Sequence, residues 1–231
     1  MGSFLKVLAT VKSALENDQP AHHDGLNGAG ASPVEPPTRQ AELVSTFARE
    51  VELLSAGYLG AVSAAEVGAR VTALAESTGA LGVAIGNGIT LDLDAVAVAL
   101  ERDGREVMRA TAAPDDDARK AWLSHLARVD LGIVEARGAI ASSGTLVVVS
   151  TPDSPSSLTL VPPISLIIVR ADRIVGDVAQ AIEAIGPATV SGHRLVMITG
   201  PSRTADIEKL IVLGVHGPKE LHVLVVWPDD V

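Results

Sequence analysis

LGVAIGNGITLDLDAVAVALERDGREVMRA, residues 81–110, holds two short apolar runs on either side of a helical repeat. Leu81–Ile85 and Glu106–Ala110 have the length and composition of buried strands, and Leu93–Glu101 between them has helical periodicity. Strand, helix and strand in this order form a βαβ unit, and such units build parallel sheets covered by helices. The pattern extends in both directions. Upstream, residues 40–57 and Ala64–Ser77 are predicted helices flanking a strand at Gly60–Val62. Downstream, Asp115–Arg128 is a predicted helix whose three leading aspartates suit the positive end of its dipole. The second half is denser in strands, with predictions at Leu131–Val134, Thr145–Ser150, Leu158–Leu160, Ser165–Val169, Arg194–Thr199 and Leu221–Val226. Helices are predicted at Val178–Ile185 and Thr204–Leu213, and Asp153–Ser157, with Pro152 and Pro155, as a hairpin turn. The fold class is therefore α/β, a mostly parallel central sheet with helices and an antiparallel excursion.

The chain has 231 residues, 47% of them hydrophobic, enough for one substantial core. Phe4, Leu8, Val11 and Leu15 share a helical face, and the Gly- and Pro-rich stretch from Asn17 to Thr38 reads as a linker, so residues 1–38 are set apart from a single domain at 39–231. Lys+Arg total 18 against 28 Asp+Glu, a net charge of −10, which is the wrong sign for a nucleic-acid binder. No uncharged run is long enough to span a bilayer, and Lys6 and Lys12 interrupt any apolar signal core, so the expected location is cytoplasmic. With zero cysteines the chain cannot supply a disulfide, a thiol nucleophile, a Cys-ligated zinc or the thiolates of an iron–sulfur cluster. Its five aromatic residues offer few stacking platforms for a flavin or a base.

Three segments carry candidate chemistry. Ala141–Thr145 places Ser143 and Thr145 around Gly144, giving donors and a close backbone approach for a carboxylate or phosphate, although on local evidence alone Ser, Gly and Thr before a strand read first as ordinary turn chemistry. The apolar run ending at Thr199 leads into Gly200-Pro201-Ser202-Arg203-Thr204 and a predicted helix, whose free amides and Arg203 could hold an anion. There, Ser202 or Thr204 could equally be an N-cap, and Asp206 and Glu208 first-turn charges that oppose an anion. The third segment, Gly214–Glu220, offers His216 as a general acid or base and Lys219 as a cation, or Gly214 as a helix C-cap. The adjacent His22 and His23 lie on the linker, and His125, His193 and His222 lack ligand-like spacing, so no metal site is assigned.

Taken in order, VDLGIVEARGAIASSGTLVVVS, LVPPISLIIV, ITGPSRTADIE and LGVHGPKELHVLVV resemble the LUD domain family of the lactate-utilisation type, over about Asp130–Val226 and less distinctly back to Ala41. The resemblance implies a fold related to the sugar-phosphate isomerase and CoA-transferase group. In such sheets ligands gather beyond the carboxyl ends of the strands, where the Gly200 loop is expected. It also implies a part in oxidising L-lactate to pyruvate beside iron–sulfur proteins, in which a cysteine-free chain takes the cluster-free role. Where the family usually has Glu-Thr-Gly-Thr, this chain has Ser142-Ser143-Gly144-Thr145 and so lacks a carboxylate.

The leading expectation is thus a cluster-free subunit that works with iron–sulfur partners, binds a small carboxylate or phosphate and does not turn over lactate alone. The expected anion site is Ser143, Gly144, Thr145, Gly200, Ser202, Arg203 and Thr204, with His216 and Lys219 as catalytic candidates. The alternative is an autonomous enzyme acting on a carboxylate, acyl-CoA or sugar phosphate. A nicotinamide enzyme ranks below both, because neither Gly79-Ala80-Leu81-Gly82 nor Gly86-Asn87-Gly88 forms the dinucleotide fingerprint.

Overall fold

The computed structural model describes residues 39–186, 194–205, 211–213 and 217–228. The predicted amphipathic helix at Phe4–Leu15 and the linker lie outside this set, as does His216. Five helices are described: α1 Arg39–Leu53, α2 Val67–Thr78, α3 Leu93–Arg102, α4 Asp116–Leu126 and α5 Val178–Ile185. Local chemistry sets their ends. Asp92, Asp115 and Asp177 each cap a helix by accepting the N–H three residues on, from Ala95, Ala118 and Gln180, at 2.8–2.9 Å. Asp116 and Asp117 add favourable charge to the first turn of α4.

Six strands, β1 Gly57–Ser63, β2 Gly82–Ile85, β3 Glu106–Arg109, β4 Leu131–Glu135, β7 Ile164–Arg170 and β12 Glu220–Trp227, form one parallel sheet in the order β1-β12-β7-β4-β2-β3. A second sheet has the order β8-β5-β6-β9, from β5 Gly138–Ile140, β6 Thr145–Ser150, β8 Ile174–Val175 and β9 Arg194–Ile198. Here β5 and β9 run antiparallel to β6, so an antiparallel excursion is present, but in this second sheet and not at the Asp153–Ser157 turn from which the sequence predicts it.

Side-chain alternation sorts the core into layers. Leu131, Ile133, Leu166, Ile168, Leu224 and Val226 face α2 and α3, whose Val71, Leu74, Val96 and Leu100 complete that cluster. Val134, Ile167, Val169, Val223 and Val225 face the other way, onto Val44, Phe47 and Val51 of α1, Leu126 of α4 and Leu146 and Val148 of the second sheet. Outside that sheet, α5 packs Ala181 and Ile185 on Ile140 and Val147. Helices therefore cover both faces of the parallel sheet. Each fully buried Leu, Ile or Val contributes about 1.5–3 kcal/mol of transfer free energy, so the central strands need no aromatic payload. Phe47 is the one wholly buried aromatic among the described residues.

The structure corrects several local readings. Residues predicted as a strand at Leu158–Leu160 belong largely to a 3-10 turn, Ser156–Thr159, packed so closely on β4 that a Cβ at Gly132 would fall 2.0 Å from the Leu158 carbonyl oxygen. The turn predicted at Asp153–Ser157 is centred earlier, where Thr151 and Ser154 close an antiparallel bridge around Pro152 and Asp153; it does not join two ladder strands. The helix predicted at Thr204–Leu213 is not formed at either end. Arg203–Ala205 is strand β10 and Ile211–Leu213 is strand β11, paired antiparallel.

Candidate functional site

The chain leaves β2 through α3 to β3 on one side, whereas it leaves β4 towards β7 on the other. The point between β2 and β4 is therefore the topological switch of the sheet, where crossovers diverge and leave a crevice beyond the strand ends. A cleft of about 600 Å³ occupies that place. Its floor is Asn87 and Gly88, just past β2, with Glu135 and Arg137 at the end of β4; the Thr151–Ser154 turn after β6 forms a wall.

Glu135 organises the loop after β2. Although only 4% exposed, its carboxylate accepts hydrogen bonds from the amides of Ile89 (2.5 Å), Thr90 (2.9 Å) and Leu91 (3.0 Å), and from the Thr90 hydroxyl (2.6 Å). Its lone pairs are thus committed to holding the loop. The opposite wall is tied in by the Asn87 amide, which donates to the Asp153 carbonyl at 3.1 Å, and by the Asp153 carboxylate, which accepts from the Ala112 amide at 3.0 Å. A Cβ on Gly86 would lie 2.4 Å from Ser154 Oγ, so the approach of these two loops requires glycine. Arg137 is half-buried and also borders a smaller cavity of about 190 Å³ beside Asp172 and Arg173. Its guanidinium has no hydrogen bond or ion pair among the described residues.

The residues singled out from sequence gather elsewhere. Ser143 Oγ and Thr145 Oγ1 are 2.8 Å apart, and Thr145 Oγ1 is 2.8 Å from Thr199 Oγ1, a hydroxyl chain that joins the first two candidate segments. Gly144, at φ +61°, lets this turn seat on α1: a Cβ there would fall 2.9 Å from the Val51 amide nitrogen. Gly200 packs beside Leu54, just after α1. The third segment joins them through the Ser202 amide, which donates to the Pro218 carbonyl at 3.3 Å, while the Lys219 amide donates to Pro163 at 2.8 Å. Pro163 and Lys219 immediately precede β7 and β12, so this cluster lies at the amino end of the parallel sheet. The expectation that the Gly200 loop lies beyond the carboxyl ends is therefore overturned, because β9 belongs to the second sheet. Arg203 and Thr204 lie in β10 and do not open a helix.

Sequence reasoning passed over Glu135 and Arg137. The available signal was a lone carboxylate closing the apolar run Leu131–Glu135, followed two residues later by a cation, at the strand end where α/β sheets bind ligands.

An open α/β protein with a polar cleft at the switch point of a parallel sheet is the class that fold and site define. Within it, the chain belongs to the LUD domain family, whose model matches residues 44–226. It is 30% identical to lactate utilization protein C of Deinococcus radiodurans over 226 residues, 96% of this chain and 94% of that protein. Other curated relatives, among them lactate utilization protein C of Bacillus subtilis at 34% identity over 116 residues, are matched over about half of either chain. The crystal structure of a DUF162 family protein from Deinococcus radiodurans superposes with a TM-score of 0.60 at 26% identity, covering 82% of this chain and 99% of that one. No helix among the described residues is long and apolar enough to cross a membrane.

Proposed function

We propose that this protein is a component of an L-lactate utilisation system, in which it binds a small anion and works with iron–sulfur proteins in oxidising lactate to pyruvate. The observation that carries this reading is the alignment along nearly the whole of both chains with a lactate utilization protein C. Chemistry supplies the division of labour. Lactate oxidation releases two electrons, which need an acceptor. With zero cysteines and no nicotinamide fingerprint, the chain has no thiolates for a cluster and no evident seat for a hydride carrier, so the electrons pass to partner proteins.

The test is reconstitution. The isolated protein should give no lactate-dependent reduction of a dye, whereas a mixture with cysteine-rich iron–sulfur partners should, and omission of this chain should lower the rate. In that mixture, His216→Ala and Lys219→Ala separate chemistry from contact: lost rate with unchanged co-purification indicates chemistry, and parallel loss of both indicates an interface. Turnover of lactate by the isolated chain would overturn the subunit reading in favour of an autonomous enzyme.

A further inference from the structure

We infer that the cleft between β2 and β4 is a binding site for an organic monocarboxylate, with Arg137 as the group that pairs with the carboxylate. The inference rests on the anion-binding part of the proposed function and gives it a location that the sequence did not suggest.

Three observations meet there. The first is position, since the cleft lies beyond the carboxyl ends of two parallel strands at the switch point of the sheet, where the fold leaves a crevice. The second is an unspent cation. Arg137 is half-buried yet has no ion pair or side-chain hydrogen bond among the described residues, whereas partly desolvated guanidinium groups are ordinarily paired. Its neighbours in the second cavity do not answer it, for Asp172 is held by Arg170 through bonds of 2.9 and 2.8 Å, and Arg173 carries the same sign. The third is rigidity. Glu135 and Asp153 bind loop amides, so the walls around Arg137 are fixed before any ligand arrives.

The charge of the cleft selects the class of ligand. Arg137 supplies one positive charge, and Glu135 and Asp153 supply two negative ones. With a net charge of −1 the lining repels a phosphate dianion about twice as strongly as a monovalent carboxylate, which can still accept the two parallel N–H bonds of the Arg137 guanidinium. Asn87, Thr151 and Ser154 offer neutral donors for a second oxygen, such as a hydroxyl or keto group, and Ile89, Val149 and Pro152 offer apolar surface for a carbon skeleton.

The experiment follows the backbone amides of the full, isotopically labelled chain by NMR during titration with acetate, L-lactate, pyruvate and inorganic phosphate at constant ionic strength. Saturable shifts from at least one carboxylate are expected at Asn87, Gly88, Thr151, Asp153 and Ser154, with phosphate binding more weakly. Arg137→Gln should lower that affinity by about 10–100-fold and Arg137→Lys by less, because an ammonium cannot reproduce the two-pronged geometry. Melting temperatures without ligand should stay close to wild type, since the substitution breaks no bond of the described structure, and this separates lost binding from lost folding. Equal affinity in wild type and Arg137→Gln, or a preference for phosphate, would overturn the inference. Shifts confined to Ser143–Thr145 and Thr199–Ser202 would overturn it while leaving the anion-binding reading standing; no saturable shift anywhere would remove both.

Discussion

Removing the Glu135 carboxylate should loosen the cleft before it disturbs the core. In Glu135→Ala the amides of Ile89, Thr90 and Leu91 and the Thr90 hydroxyl lose an acceptor that now lies 2.5–3.0 Å from each. Hydrogen bonds to a charged group contribute about 1.5–3 kcal/mol each, so a naive sum over four exceeds about 6 kcal/mol. Two effects reduce it. Ile89 is 40% exposed, which lets water reach part of the freed loop, and the variant no longer carries the desolvation cost of a buried carboxylate. A net loss of about 2–4 kcal/mol follows, equivalent to a fall in Tm of about 5–15 °C for a chain of this size. Glu135→Gln keeps the volume and one acceptor oxygen but turns an NH2 towards amide donors, and should fall between wild type and Ala. Thermal unfolding measures the loss, and amide hydrogen exchange locates it, with accelerated exchange at residues 89–91 and unchanged protection in β7 and β12. A Glu135→Ala protein that melts within about 1 °C of wild type, with normal exchange at 89–91, would refute the claim that this carboxylate holds the loop.

Two further predictions test the frame around the sites. Gly144→Ala should cost about 2–4 kcal/mol in denaturant unfolding, because φ is +61° and the new Cβ would meet the Val51 amide nitrogen at 2.9 Å; an unchanged midpoint would show that α1 does not seat on this turn. Hydrogen bonds from Arg170 hold the Asp172 carboxyl below its ordinary range, so its stabilisation is present above the unfolded pKa of about 4 and is lost as the pH falls through the lower folded value. Acidification below about pH 4 should therefore destabilise wild type more steeply than Asp172→Asn, with a difference near neutrality of less than about 1 kcal/mol because the pair is partly exposed; parallel pH–stability curves would count against the pairing.

What the sequence disclosed follows the range of the forces involved. Val178–Ile185 is found at its observed limits because its signals are local, an Asp177 cap and an apolar stripe. The parallel strands β4 and β7 are equally plain, since burial on both faces makes them almost continuously apolar. Thr204–Leu213 misled because Asp206 and Glu208 resemble first-turn helix charges, whereas the β-branched Ile211 and Val212 pair with Ala205 and Thr204, six and eight positions away. Strand β5 has three residues, too few to show a period. Glu135 and Arg137 are single residues whose meaning depends on the order of strands, which no local pattern encodes.

Topology also keeps the two candidate regions apart. Thr145 lies in the hydroxyl cluster and Thr151 lines the Arg137 cleft, so strand β6 runs from one to the other, a span of about 20 Å. Every residue from Thr145 to Val149 is buried, and no surface along that strand joins the two ends. The Arg137 cleft and the anion site expected at Ser143 and Thr145 are lined by different residues and are separate hypotheses. The hydroxyl cluster has a further constraint of its own. Ser143 bonds Thr145 and Thr145 bonds Thr199, hydroxyl to hydroxyl, whereas activating a serine nucleophile requires a group able to take its proton. Ser142 stands exposed where the family resemblance implies a glutamate, so this turn supplies no carboxylate for that task. An autonomous enzyme built on Ser143 would need its base from outside this turn; with His216 in that role, His216→Ala would abolish turnover while leaving carboxylate binding at Asn87 and Gly88 intact. In the subunit reading, by contrast, binding at Arg137 and dependence on iron–sulfur partners fail or survive independently of the hydroxyl chain.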